Sequence, residues 1–123
     1  MKESILRNKS SRFTTRIINM SNYLCSNKKE FIISKQVLRS GTSIGANIAE
    51  AGAAFSKNDF IYKLVISLKE CSETLHWLEA LKNTNYLSEK EYESIYNDCF
   101  ELARLLSSSI KTAKKNLNKN EET

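Results

Sequence analysis

RSGTSIGANIAEA, residues 39–51, decides the fold. Gly41 and Gly45 stand one helical turn apart in a chain that has only three glycines and no proline, inside a stretch whose apolar residues recur at spacings of three and four. At about 100° per residue, Val37, Gly41, Ile44, Gly45 and Ile48 fall on one side of a helix. Lys35, Arg39, Ser43 and Glu50 fall on the other, with Asn47 beside them. The glycines therefore belong to the apolar face. A phosphate-cradling loop would need G-x-x-x-x-G-K-[ST] or G-x-G-x-x-G between a strand and a helix, and neither pattern is present. The physical reading is close packing: two missing side chains let another helix backbone approach. The helix gives up about 1 kcal/mol per glycine relative to alanine, which contacts with that neighbour must offset. The spacing leaves open whether the neighbour lies in the same chain or in another subunit.

Working outward, the same periodicity marks three more helices and no strand. The first, about residues 4–26, carries Leu6, Phe13, Ile17, Met20 and Leu24 on one side, and SNKKE (26–30) breaks it. The second begins within the apolar run Phe31, Ile32 and Ile33 or at Ser34, a suitable N-cap, and Gly52 offers a stop because glycine tolerates the left-handed conformation past a helix end. Ser56 and Asp59 sit at N-cap and N3 of the third helix, with Phe55 and Phe60 at the two positions of a hydrophobic staple. Ser88 and Glu91 repeat the device at the fourth, with Leu87 and Tyr92 as staple and KNTNY (82–86) as the preceding turn. Helix three presents Phe60, Leu64, Leu68, Cys71, Leu75, Leu78 and Leu81, and helix four Ile95, Cys99, Leu102, Leu106, Ile110, Ala113 and Leu117. Short connections make successive helices antiparallel. The expected fold is all-α: one up-down-up-down four-helix bundle over residues 1–118, with a frayed tail at 119–123.

The 123 residues, 41% hydrophobic and 27% charged, suit one globular domain able to bury a core. No apolar run approaches the roughly 18 residues that span a bilayer, and MKESILRNKSSR lacks a signal peptide's apolar stretch, so the expected location is cytoplasmic with no membrane partner. Cys25, Cys71 and Cys99 are odd in number, far apart and without a C-x-x-C pair, which argues for small buried hydrophobes and against a disulfide framework or a zinc site.

Charge placement is more informative than the net +5. Seven basic and two acidic residues lie in positions 1–30, so the whole excess sits in the first helix and its following loop. Lys9, Arg12 and Arg16 recur at i, i+3 and i+7 and share a face, and Lys28 and Lys29 extend it into the loop. Such a stripe suits a phosphate backbone, with counterion release making the binding salt-dependent; the plainer alternative is a basic helix that serves solubility alone. Tyr23, Tyr62, Tyr86, Tyr92 and Tyr96 offer stacking rings, but no RNP-like or OB-like pattern interleaves them with basic residues. On helix two, Arg39, Ser43, Asn47 and Glu50 combine donors and acceptors suited to a subunit boundary or a ligand; the plainer alternative is a solvated face with an internal Arg39–Glu50 or Arg39–Ser43 interaction.

Enzyme chemistry finds little support. Glu73-x-x-His76 matches the metal-binding spacing of ferritin-like bundles, yet a di-iron site needs two such pairs and this chain has one histidine, on the polar side of helix three with Lys69 and Glu79. A thiol nucleophile would have only His76 as its base. No acid pair, activated nucleophile or cofactor loop emerges, so the reading is a non-catalytic binding or assembly protein with no cofactor, no metal and no small-molecule substrate.

RSGTSIGANIAEA, followed by SKNDFIYKLVISLKECSETLHWLEAL (56–81), resembles the bacterial four-helix-bundle proteins known as 23S ribosomal RNA intervening-sequence proteins. The likeness runs from about Phe31 to Lys115, includes Tyr86 to Tyr92, and is most specific in R-S-x-x-S-I-x-x-N-I-x-E, carried by Arg39, Ser40, Ser43, Ile44, Asn47, Ile48 and Glu50. The resemblance implies assembly into a homopentameric barrel. It also implies a relation to accessory proteins of diversity-generating retroelements, and so to RNA and a reverse transcriptase-like protein. On that footing the expected RNA contacts are Lys9, Arg12, Arg16, Lys28, Lys29, Lys35 and Arg39. Arg39, Gly41, Ser43, Ile44, Gly45, Asn47, Ile48 and Glu50 are expected at a subunit interface or in helix packing. A homo-oligomeric protein adaptor without nucleic-acid binding is the competing class.

Overall fold

Apolar positions at three-and-four spacing produce four helices in the computed structural model, which describes residues 2–122 and the side chains of 5–119. They are α1 (Lys2–Ser26), α2 (Ile33–Ala51), α3 (Lys57–Asn83) and α4 (Glu89–Glu122). α1 packs on α2 and α4, α3 packs on the same two, and the diagonal pairs do not approach. The α1–α4 seam is the thinnest of the four. The core is built from Leu6, Phe13, Ile17 and Leu24 of α1, Val37, Ile44 and Ile48 of α2, Leu64, Cys71, Leu78 and Leu81 of α3, and Ile95, Cys99, Leu102 and Leu106 of α4.

The glycines of α2 face α1 of the same chain. A Cβ at Gly41 would lie 2.8 Å from Ile17 Cγ2 and 2.9 Å from Cγ1, and one at Gly45 would lie 2.8 Å from Thr14 Oγ1. Opposite Gly45, α1 carries Ser10 and Thr14, whose hydroxyls donate back to Arg7 O (3.1 Å) and Ser10 O (2.8 Å). No polar hydrogen is left to demand space in the contact. The Gly41, Ile44, Gly45 and Ile48 face is thus intramolecular packing.

Local rules place the helix ends, with three departures from expectation. Ser88 and Glu91 form a reciprocal capping box, Glu91 N–H donating to Ser88 Oγ (3.1 Å) and Ser88 N–H to Glu91 Oε1 (2.8 Å), while Leu87 and Tyr92 pack on the core. Ser56 caps α3, accepting from Asp59 N–H at 3.0 Å. Phe55, however, staples nothing: it is fully exposed, because Ala53 and Ala54 continue α2 as tight turns onto Glu50 O and Ala51 O and carry the chain outward. Gly52 ends α2 at φ −64°, ψ −19°, so no left-handed residue terminates that helix. The left-handed positions are Lys29 (φ 55°) and Asn85 (φ 67°). Asn85 closes α3 in a Schellman arrangement, with Tyr86 N–H on Leu81 O and Asn85 N–H on Lys82 O. Finally, α4 continues to Glu122, so no helix end marks the expected boundary at 118; Ile110 is its last buried residue among those described, and Thr123 lies outside the described residues.

α2 begins at Ile33, within the first of the two expected starts, and Ser34 is not its N-cap. Glu30, ahead of the helix, folds its carboxylate over the N-terminus to accept from Ile32 N–H (3.2 Å), Ile33 N–H (3.1 Å) and Ser34 N–H (2.6 Å). Ser34 instead donates its hydroxyl to Glu30 O at 2.7 Å. On α3 the buried line runs Ile61, Leu64, Ser67, Cys71, Thr74, Leu78, Leu81, and Phe60, Leu68 and Leu75 are only half-buried. Ser67 and Thr74 replace the expected leucines because small hydroxyls let α3 close on α2: Ser67 donates to Ile44 O (2.8 Å), and Thr74 shares a 2.9 Å bond with Ser40.

Candidate nucleic-acid interface

The basic side chains of α1 do not all face open solvent. Lys9 Nζ donates to Glu101 Oε1 at 3.1 Å. Arg16 reaches Asp98 Oδ2 at 2.6 Å and also Ser94 O and Ser94 Oγ at 3.3 and 3.1 Å. These pairs tie the thin α1–α4 seam together. All four side chains stay roughly 37–52% exposed, so each pair contributes little to stability, on the order of 0–1 kcal/mol. The α4 partners were visible in the sequence as Ser94, Asp98 and Glu101, spaced to meet an antiparallel i, i+7 basic pair.

Arg12, Lys28, Lys29, Lys35 and Arg39 have no ion-pair partner within 4 Å among the described residues, and all five are exposed. Arg12 lies between Lys9 and Arg16 on α1. Lys28 and Lys29 occupy the α1–α2 loop, where Lys28 Nζ stands 6.0 Å from the centre of the Tyr23 ring. The only acid in that loop, Glu30, is buried and spent on three backbone donors. Burial pushes its carboxyl upward, but the bonds from Ser34, Ile33 and Ile32 outweigh this and hold it below the ordinary value. The loop therefore presents lysine charge with its own carboxylate internalised.

Lys35 and Arg39 sit one turn apart on the outer side of α2. Arg39 faces α3, where its field and that of Lys69 oppose the rise of Glu70, which burial and the neighbouring Glu73 push up. The seven basic residues thus fall on two faces, α1 toward α4 and outer α2, joined by the loop. Of the polar stripe on α2, Ser43 donates to Arg39 O (2.7 Å), Asn47 donates to Ser43 O (2.8 Å), and Glu50 pairs with Lys63 of α3 at 3.3 Å. The stripe satisfies itself locally and through α3; the Arg39–Glu50 pairing does not form.

Between α1 and α4 near the loop lies an open groove of about 500 Å³ lined by Arg16, Asn19, Tyr23, Lys90, Glu91 and Ser94, with Met20, Leu87 and Ile95 at its floor. Sequence periodicity gave no sign of it, because it follows from the sparse α1–α4 contact.

The remaining candidates do not form reactive centres. His76 is exposed and stands edge-on to Trp77 at 4.8 Å. No cluster of three or more His, Cys, Asp or Glu able to hold a metal occurs among the described residues. Cys71 and Cys99 are fully buried, as expected of packing residues. The hydrogen bond to Cys71 and burial push the Cys99 thiol up, far from nucleophilic use. Cys25 is half-buried, 3.3 Å from Ser34 Oγ. No helix among the described residues is long and apolar enough to cross a membrane.

Residues 2–108 match the family model of 23S rRNA-intervening sequence protein, and the chain belongs to that family. A crystal structure of a protein of unknown function from the S23 ribosomal protein family of Bacteroides thetaiotaomicron VPI-5482 superimposes with a TM-score of 0.89 at 53% identity, covering 90% of this chain and 99% of that one. No curated protein matches.

Proposed function

We propose that this member of the 23S rRNA-intervening sequence protein family is a non-catalytic, self-associating four-helix bundle that binds RNA by charge. The observation that carries the reading is the set of five exposed cations, Arg12, Lys28, Lys29, Lys35 and Arg39, left without ion-pair partners among the described residues. Lys9 and Arg16 contribute less, since binding must first loosen their carboxylate partners. A homopentamer, as the family resemblance implies, placed in the cytoplasm repeats the basic surface around an axis and multiplies the local field. In that setting the RNA is met together with a reverse transcriptase-like protein.

Self-association has a candidate surface in the aromatic ladder of α4, where Tyr92 and Tyr96 lie 5.1 Å apart, Tyr96 and Phe100 6.2 Å apart, and Phe100 is 47% exposed. The same ladder is what favours the competing adaptor reading, in which it meets another protein and RNA is not bound. The test is charge reversal at Arg12→Glu with Lys29→Glu. The expected outcome is weaker RNA binding and a salt slope shallower by about 1–2. Unchanged affinity and slope would remove the surface assignment.

A further inference from the structure

We infer that the α1–α4 groove receives an unpaired RNA base against the ring of Tyr23, so that the protein prefers single-stranded RNA to duplex; this rests on the RNA reading above. Three features meet in the groove. It has room, about 500 Å³, between two helices that barely touch. It has an aromatic ring, Tyr23, which is 36% exposed in the last turn of α1 and lines the groove. It has cations about it: Lys90 and the Asp98-paired Arg16 among its lining residues, and Lys28 near the ring. At 6.0 Å the Lys28 ammonium is at the outer limit of attraction to the ring, so it covers Tyr23 loosely and can move onto a phosphate. A base brings a flat π-face and an attached phosphate, which is the pair of groups this combination recognises.

Shape selects single strands. Duplex RNA keeps its bases stacked on one another and shows only phosphates and groove edges, so none of its bases offers a face to the Tyr23 ring. The groove also carries Glu91, whose carboxylate is engaged by the Ser88 N–H and Ser88 hydroxyl at the start of α4. With exposed Glu89 beside it, this acid discourages a flat anionic surface from docking on the same end. A single strand can thread past such isolated charges. Exposed Phe31 and Ile32 with Lys28 and Lys29 would otherwise suit an anionic bilayer, and two apolar side chains make a poor anchor.

The experiment measures anisotropy of a short unpaired RNA oligonucleotide, the same strand annealed to its complement, and vesicles of phosphatidylcholine with phosphatidylserine. Wild-type protein should bind the single strand more tightly than the duplex. Tyr23→Ala should weaken single-strand binding about tenfold, within the roughly 5- to 150-fold that one lost stack costs, without changing the salt slope. Tyr23→Phe should retain it. Because Tyr23→Ala can also disturb α1, wild-type protein is photo-crosslinked to RNA carrying 5-iodouridine, and the adduct is expected on the peptide containing Tyr23. Equal binding by Tyr23→Ala with adducts elsewhere overturns the stacking site and leaves charge-driven binding standing. Preference for duplex also overturns it. Binding to vesicles with none to either RNA overturns this inference and the RNA reading together.

Discussion

Replacing Gly41 and Gly52 separately by alanine should move stability in opposite directions. Both residues have helical backbone, so the intrinsic gain in helix propensity, up to about 1 kcal/mol, is common to both. The difference is what the new methyl meets. At Gly41 it would lie 2.8, 2.9 and 3.1 Å from three carbons of Ile17, against an optimum of roughly 3.5–4.0 Å, and Ile17 is fully buried with nowhere to retreat. Overpacking of this kind costs about 1–3 kcal/mol, leaving Gly41→Ala net destabilised by up to about 2 kcal/mol. At Gly52 the neighbours are Ala49 O at 3.3 Å and the flexible end of Arg7 at 3.8 Å, so Gly52→Ala should gain a few tenths of a kcal/mol, on the order of 0.5. Ile17→Ala supplies the internal control. Alone it opens a cavity costing about 2–5 kcal/mol; combined with Gly41→Ala it should cost about 1–2 kcal/mol less than the sum of the two. Urea unfolding followed by far-UV circular dichroism, at one fixed protomer concentration so that any association acts equally on all, reads the four variants against wild type. If Gly41→Ala stabilises as much as Gly52→Ala, or the double variant is additive, close packing on Ile17 is not why glycine stands there.

Glu30→Gln should destabilise at neutral pH by about 1–2 kcal/mol, since an amide nitrogen replaces an acceptor facing backbone N–H groups. Because the folded-state value of Glu30 is lowered, its contribution is complete above the ordinary value of 4.5 and is lost as pH falls through the lower folded value; the gap between wild type and variant should close on acidification, as thermal melts across that range will record. Asp98→Asn with Glu101→Gln should strengthen RNA binding and steepen its salt dependence, because Arg16 and Lys9 are released to phosphate; unchanged titrations would mean those pairs never restrain them. Phe100→Glu should lower the mass measured by light scattering while the monomer keeps its helical spectrum, and an unaltered mass would exclude the α4 ladder as the subunit contact.

The bundle was legible because local and global signals agree in it: three-and-four spacing on every helix, capping serines at 56 and 88, and glycines facing a neighbouring helix. Legibility failed where one residue's role depends on a distant backbone. Glu30 reads as part of a charged loop, and only the fold turns its carboxylate onto the first donors of α2. The apolar spacing of α3 points Leu68 and Leu75 inward, and only α2, by supplying Ile44 O and Ser40 as partners, puts Ser67 and Thr74 in the buried line instead. Gly52 invites a left-handed stop, yet tight turns at Ala53 and Ala54 end the helix without one. The basic stripe was legible as sequence charge, but its division into paired Lys9 and Arg16 and unpaired Arg12 arises only when α4 lies alongside. The groove at Tyr23 is a property of spacing between helices, which no periodicity within one helix encodes.

The most direct test of charge-driven RNA binding is the dependence of affinity on salt, measured for wild-type protein with a short single-stranded RNA. Five unpaired cations at about 0.7 per neutralised phosphate set a ceiling near 3.5 per protomer, and a logarithmic slope between about −2 and −3.5 is expected. A slope near zero, or no binding at low salt, would contradict the account and leave a protein-only assembly in its place.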